Sequence, residues 1–280
     1  MSEHHVHIDA NPKRINLQLR DVWRYRDFVW SYTSSYFAKR YKQTILGPLW
    51  LLINPMINAL MNLFVFGMIA GIGTEGIPML LFYLAGQGMW SYLAAIVSSC
   101  SFAFSANAHL YGKVWFPRLC IPVSYIITSA AEFLIQEIPL IIFSLYYALS
   151  GVYVIHWSGF VLSLILLLWL GVLGLGVGIL VSSATTKYRD LGLLIGLAIR
   201  FWMYATPIVY PLSEVHNSYL QKCIRLNPVT AIIELFRHFL FGVGEVSTGL
   251  ILYSLLMTVL IVMAGIYSFN RIERSFMDTV

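Results

Sequence analysis

The chain has 280 residues, of which 59% are hydrophobic and 11% charged, with a formal net charge of +5. A soluble domain carries roughly 25% charged residues, so disorder, coiled coil and an ordinary soluble enzyme are poor readings and a polytopic membrane protein is the natural one. The basic residues form short clusters between long uncharged runs, which argues for membrane topology and against a nucleic-acid face.

Residues 1–19 read as a flexible polar tail. They carry His4, His5 and His7 but no apolar core or cleavage site of a signal peptide. Over 20–42 charge and aromatics are dense. Trp23, Trp30 and Phe37 recur at sevens, and residues 28–38 are uncharged. This pattern predicts an amphipathic helix in the membrane interface, with rings buried in lipid and basic groups at lipid phosphate.

The remainder, 43–276, reads as one membrane domain with spans at about 48–73, 79–102, 119–149, 159–181, 191–210 and 249–269. Pro48 suits the first turn of span one. Pro139 is expected to kink or break span three. Gly174 and Gly178 form a GxxxG pair in span four. Residues 107–118 form a basic connection. Residues 211–248 contain Asn227-Pro228 and an apolar stretch, 230–241, broken by Glu234, Arg237 and His238. That stretch is too short and too charged to span, so it is expected to be re-entrant or surface-lying. Fourteen of the eighteen Lys and Arg residues fall on the side of the termini and three on the other, with Arg200 inside a span. The positive-inside rule then puts both termini in the cytoplasm.

No P-loop, zincin, EF-hand or dinucleotide fingerprint is present, and Cys100, Cys120 and Cys223 have no ligand spacing. The strongly ionisable groups inside spans are Glu132, Glu137 and Arg200. Lone charges in lipid are costly, so these are expected to be buried. Arg200 lies at a depth that lets it pair with one of the two carboxylates. Trp90 in span two and Trp202, Tyr204 and Tyr210 in span five are candidate stacking surfaces for a sliding sugar chain, against the plainer alternative that they pack or form an interfacial belt.

Several short stretches, taken in order, resemble the transmembrane subunit of polysaccharide-exporting ABC transporters, the ABC-2 permeases that handle O-antigen, capsule and teichoic acid. They are the decapeptide 41–50 (YKQTILGPLW) with Asn54-Pro55, and the connection with Lys113, Phe116, Pro117, Arg118 and Pro122. Tyr188-Arg189-Asp190, Thr206-Pro207 through Tyr210, and Leu226-Asn227-Pro228 with Arg237 complete the set. The resemblance implies an all-α, six-span permease of the ABC-2 (type V exporter-like) kind in the cytoplasmic (inner) membrane. It pairs with a second copy of itself and with two separate ATP-binding subunits, which bind ATP and Mg; this chain holds no cofactor or metal and is not an enzyme. The cargo is a polyprenyl-diphosphate-linked glycan, O-antigen first, with teichoic acid, capsular polysaccharide or a small molecule as alternatives.

On that footing Trp90, Arg200, Trp202, Tyr204 and Tyr210 are expected to line a canal. Arg24, Arg26 and Arg40 are expected to meet the diphosphate at its entrance. Lys113, Trp115, Phe116 and Arg118 are expected to contact the ATPase. Membrane-embedded transferases and secondary transporters lack support, because no catalytic pair and no internal repeat stands out.

Overall fold

The computed structural model describes residues 19–42, 45–188 and 190–277, and every described element is helical. Residues 1–18, with His4, His5 and His7, lie outside the described residues, as do Gln43, Thr44 and Arg189 of the motifs above.

The N-terminal region is two helices, α1 (Leu19–Arg24) and α2 (Arg26–Tyr41). A 3-10 turn, Gly47–Leu49, opens α3 (Trp50–Asn62), which runs on as a π-helical segment, Leu63–Ile69. Next come α4 (Met79–Ser101) and two single turns, α5 (Ala103–Ala106) and α6 (Ala108–Tyr111). The third apolar segment is split into α7 (Cys120–Gln136) and α8 (Ile138–Leu149). Pro139 sits in the first turn of α8, where its missing N–H is tolerated, so the expected interruption falls at Glu137. The chain ends with α9 (Trp157–Lys187), α10 (Leu191–Tyr204), α11 (Ser218–Arg225), α12 (Pro228–Phe241) and α13 (Thr248–Met277).

Among the described residues five helical segments are long and apolar enough to cross a membrane: Gly47–Ile69, Met79–Ser101, Cys120–Leu149, Trp157–Lys187 and Thr248–Arg271. The expected fifth span, 191–210, is not such a helix. Its helix stops at Tyr204 after 14 residues, about 21 Å, against a hydrocarbon core of about 30 Å. Pro207 explains the stop, since it cannot donate into a continuing helix and disfavours helical backbone at Thr206. The next residues, Thr206 to Val209, are buried against the bundle in irregular conformation.

The core is centred on α4, with sixteen of its 23 residues buried. Helix α9 crosses it closely because its glycines leave room. A Cβ on Gly174 would press on Leu93 and Ile96, and one on Gly178 would lie 2.5 Å from the Cys100 Cβ. The opposite face of α9 meets α13, where Gly176 contacts Val262 and the Trp169 indole donates to Thr258 Oγ1 at 3.0 Å. By contrast Gly47–Ile69, which contains α3, is the least buried of the long apolar segments, and α10 has only Ile195 buried.

The stretch 230–241 does not lie on the surface. Helix α12 is capped by Asn227, whose side chain accepts from the Val229 amide at 3.1 Å, and eleven of its fourteen residues are buried. Its charged residues find partners inside the fold. Arg237 donates to the Ile208 carbonyl (2.8 Å) and to Glu234 (3.4 Å), and lies 3.8 Å over the Phe82 ring. The second oxygen of Glu234 accepts from the Glu245 amide at 2.8 Å. Arg237 thereby joins α12 to α4 and to the irregular segment after α10.

Candidate functional site

A cavity of about 980 Å³ lies between α3, α4, α7 and α10, at the upper end of the roughly 300 to 1,000 Å³ of ordinary ligand sites. Its α3 wall is one helical face with Leu51, Asn54, Pro55, Asn58 and Asn62. Helix α4 contributes Gln87, Trp90 and Ser91, α7 contributes Glu132 and Gln136, and α10 contributes Arg200, Met203 and Tyr204. Arg40 and Tyr41, at the end of α2, close one end. The wall is polar for a membrane domain. Asn62 donates to Gln87 (3.3 Å), which donates to Ser91 (3.2 Å). Asn54, Asn58, Arg200 and Tyr204 are exposed, so the cavity is open to the outside of the single chain.

Of the residues expected to line a canal, Trp90, Arg200 and Tyr204 line this cavity and Trp202 and Tyr210 do not. The Trp202 ring packs edge-on against Trp90, with centroids 5.7 Å apart, and its indole donates to Asn227 at 3.2 Å. Tyr210 donates to the Tyr204 carbonyl at 2.8 Å. Both are occupied in holding the broken end of α10. The amides of α3 are what sequence reasoning missed. Their spacing at 54, 58 and 62, four residues apart, was the available signal.

Of the expected entrance arginines, only Arg40 reaches the cavity. Arg24 is exposed elsewhere, and exposed Arg26 sits 3.8 Å from Asp27. Arg40 Nη1 donates to both oxygens of Glu132, at 3.1 and 3.3 Å, and the Tyr41 hydroxyl donates to Glu132 at 2.8 Å. Burial, reinforced by the Glu132 carboxylate, pushes the Tyr41 hydroxyl well above its usual range, so it remains a donor.

Glu132 and Glu137 are buried as expected, but Arg200 is exposed toward the cavity and Glu132 pairs with Arg40 instead. The reason is geometric. Helix α2 runs alongside α7, with Ser124 donating to the Val29 carbonyl at 3.3 Å, and so brings Arg40 to the level of Glu132. Removing Arg40 (Arg40→Ala) leaves a buried carboxylate held by one hydroxyl and should cost about 1–3 kcal/mol. The double variant with Glu132→Leu should recover part of that loss. A double-mutant cycle on thermal unfolding in detergent reads the coupling, and additive losses would show that the pair contributes nothing.

The face of α1 and α2 that packs on the bundle is not the face of the sevens, which was expected to lie in lipid. Val22, Val29 and Thr33 are buried, with Tyr32 and Tyr36 beside them, while Trp23 and Trp30 point away. A polar network secures the inner face: Tyr32 donates to Asn107 at 2.7 Å, and Asn107 donates to Tyr125 at 3.0 Å.

The 107–118 connection divides in two. Lys113, Val114 and Trp115 are exposed. Phe116 and Arg118 are buried within the chain itself. Phe116 stacks on Phe28 (4.4 Å) and Tyr111 (5.4 Å), and Arg118 lies over Tyr111 (5.4 Å) and Phe104 (6.0 Å). Only one turn of this connection, α6, is helical. Phe116→Ala should therefore loosen α2 from the bundle at a cost of about 3 kcal/mol or more. Limited proteolysis should then cut near α2 sooner, and an unchanged digestion pattern would contradict this packing role.

An ABC-2 type transporter family model matches residues 28–241. The chain belongs to the ABC-2 type transporter family. It is similar to two O-antigen export system permease proteins RfbA of Klebsiella pneumoniae. One is 27% identical over 241 residues and the other 28% over 242, in each case over 85% of this chain and 89% of the relative. It is also similar to an O-antigen export system permease protein RfbA of Myxococcus xanthus, 23% identical over 216 residues, 77% of this chain and 80% of that protein. Membership makes this chain a transport subunit, not an enzyme. With five long apolar helices among its described residues it is a multi-pass membrane protein, as a bacterial inner-membrane permease is.

Proposed function

We propose that the chain is the permease subunit of an ATP-driven exporter that carries a polyprenyl-diphosphate-linked polysaccharide, O-antigen first, across the cytoplasmic membrane. It works as a pair of copies with two ATP-binding subunits. The observation that carries this reading is the polar cavity of about 980 Å³ left open between two sparsely covered apolar helices, α3 and α10. A glycan of many units does not fit one enclosed pocket, whereas two copies set cavity to cavity form a canal. The RfbA relatives supply the cargo class.

In this arrangement both termini are cytoplasmic, as the basic residues favour. The sixth crossing is α10 completed by the irregular segment 205–212. Ser213 at its end bonds Glu75, in the turn between α3 and α4, so the two lie on one side, the outer one in this reading. Helices α11 and α12 then form the outer hairpin, and Lys113 and Trp115 face the ATPase.

The test is genetic and chemical. A host strain that makes the glycan is deprived of this chain and then given it back. Restored glycan at the cell surface, dependent on the ATP-binding partner, supports the reading. Lipid-linked glycan that still accumulates inside, with the chain present in the membrane, would refute it.

A further inference from the structure

We infer that α3 carries a row of side-chain amides that binds the uncharged, hydroxyl-rich stretch of the transported chain; this rests on the export reading above. Asn54, Asn58 and Asn62 recur every four residues, so they stand on one face about 6 Å apart along the axis. All three line the cavity. Asn62 is tied to Gln87, while Asn54 and Asn58 are exposed and have no hydrogen-bond partner among the described residues.

An unpartnered amide facing hydrocarbon is costly, and the segment obeys that rule elsewhere: Ile57 and Leu60 of α3 and Phe64 and Met68 of the π-helical run after it are exposed and apolar. The amides therefore face something that hydrogen-bonds. Each carries two donors and an acceptor with two lone pairs, which matches vicinal hydroxyls and tolerates any repeating unit. The amide row itself is uncharged, which fits a neutral chain. No ionisable group of α3 faces the cavity, and Arg40 is matched by Glu132, leaving Arg200 as the one cation on the wall without an ion pair among the described residues. The amides would grip by many weak bonds, each of which exchanges readily with water, so the chain is held without being stopped.

The experiment pairs a binding measurement with export. Purified chain in complex with its ATP-binding subunit is titrated with a dextran-derived oligosaccharide, a neutral probe, and with an oligogalacturonate, an acidic one. Tryptophan emission is the readout, since Trp50 and Trp90 line the cavity. The neutral probe should change the emission. Asn54→Leu with Asn58→Leu should weaken its binding by roughly tenfold, for two lost hydrogen bonds, while the Gln pair at the same positions should retain it. The Leu variant should co-purify with the partner and elute at the same volume as the parent.

Unaltered binding by the Leu pair would overturn the assignment. So would loss of assembly, which would mean that the amides join two copies, and so would tighter binding of the acidic probe. Export by the same variants in cells separates the two claims. Amide-dependent binding with no glycan exported even by the parent chain would sink the transport reading and leave the amide row standing.

Discussion

Arg237→Leu is expected to be the most damaging single substitution in α12, costing about 3–5 kcal/mol. The guanidinium is fully buried, and its partners are the Ile208 carbonyl, the Glu234 carboxylate and the Phe82 ring. A leucine fills part of the volume but leaves the carboxylate of Glu234 without a cation and the carbonyl of Ile208 without a donor. The cation–ring contact alone is worth up to about 2 kcal/mol when desolvated. Adding Glu234→Gln to Arg237→Leu should recover stability, because it removes the stranded charge while an amide oxygen can still accept from Glu245. Thermal unfolding in detergent, followed by fluorescence, reads the series. A single variant with the parental midpoint would show that the cluster is not needed to seat α12.

Gly159→Ala should be nearly as damaging, for a steric reason. A Cβ at Gly159 would lie 1.9 Å from the Phe239 carbonyl oxygen, in the last turn of α12. Backbone stands on the other side of the contact, so no rotamer change relieves it, and the two helices must part. The His156 amide bond to the Leu240 carbonyl (3.2 Å) and the Tyr153 bond to Phe241 go with them. Overpacking of this kind costs typically 1–3 kcal/mol, and more where backbone must shift. Gly196→Ala is the matched control. Nothing lies within 4 Å of a Cβ there, so it should be neutral or slightly stabilising, since alanine is the better helix former. Equal unfolding temperatures for the two variants would contradict the close approach of α9 and α12.

The long apolar helices were legible because hydropathy and length decide them, and Pro139 marked the break in the third. The fifth was overextended because the run to Tyr210 is uncharged apart from Arg200, while Pro207 and the three-dimensional demand of Arg237 for the Ile208 carbonyl end the helix early. The stretch 230–241 was read as too short and too charged to span. The pair Glu234 and Arg237, three residues apart, was the local signal that its charges satisfy each other.

The candidate site was legible in part. Trp90, Arg200 and Tyr204 follow from their position in uncharged runs. The partner of Glu132 did not, because depth was compared only among spans, whereas Arg40 arrives from α2. Phe116 and Arg118 looked like contacts for another protein because a basic, aromatic loop gives no sign of which rings fold back. Val22, Val29 and Thr33 could not be told from the Trp23 and Trp30 face, since both faces of α1 and α2 are rich in rings.

The central claim is that the cavity between α3 and α10 is the path of the exported chain. A photo-crosslinking residue at Met61, which lines that cavity, tests it directly in cells that are exporting glycan. The account predicts a ladder of adducts that carry glycan, dependent on an active ATP-binding partner and absent when the crosslinker is placed at Leu168, an exposed position on α9 that does not line the cavity. Adducts to phospholipid alone at Met61, with export proceeding normally, would place the path elsewhere.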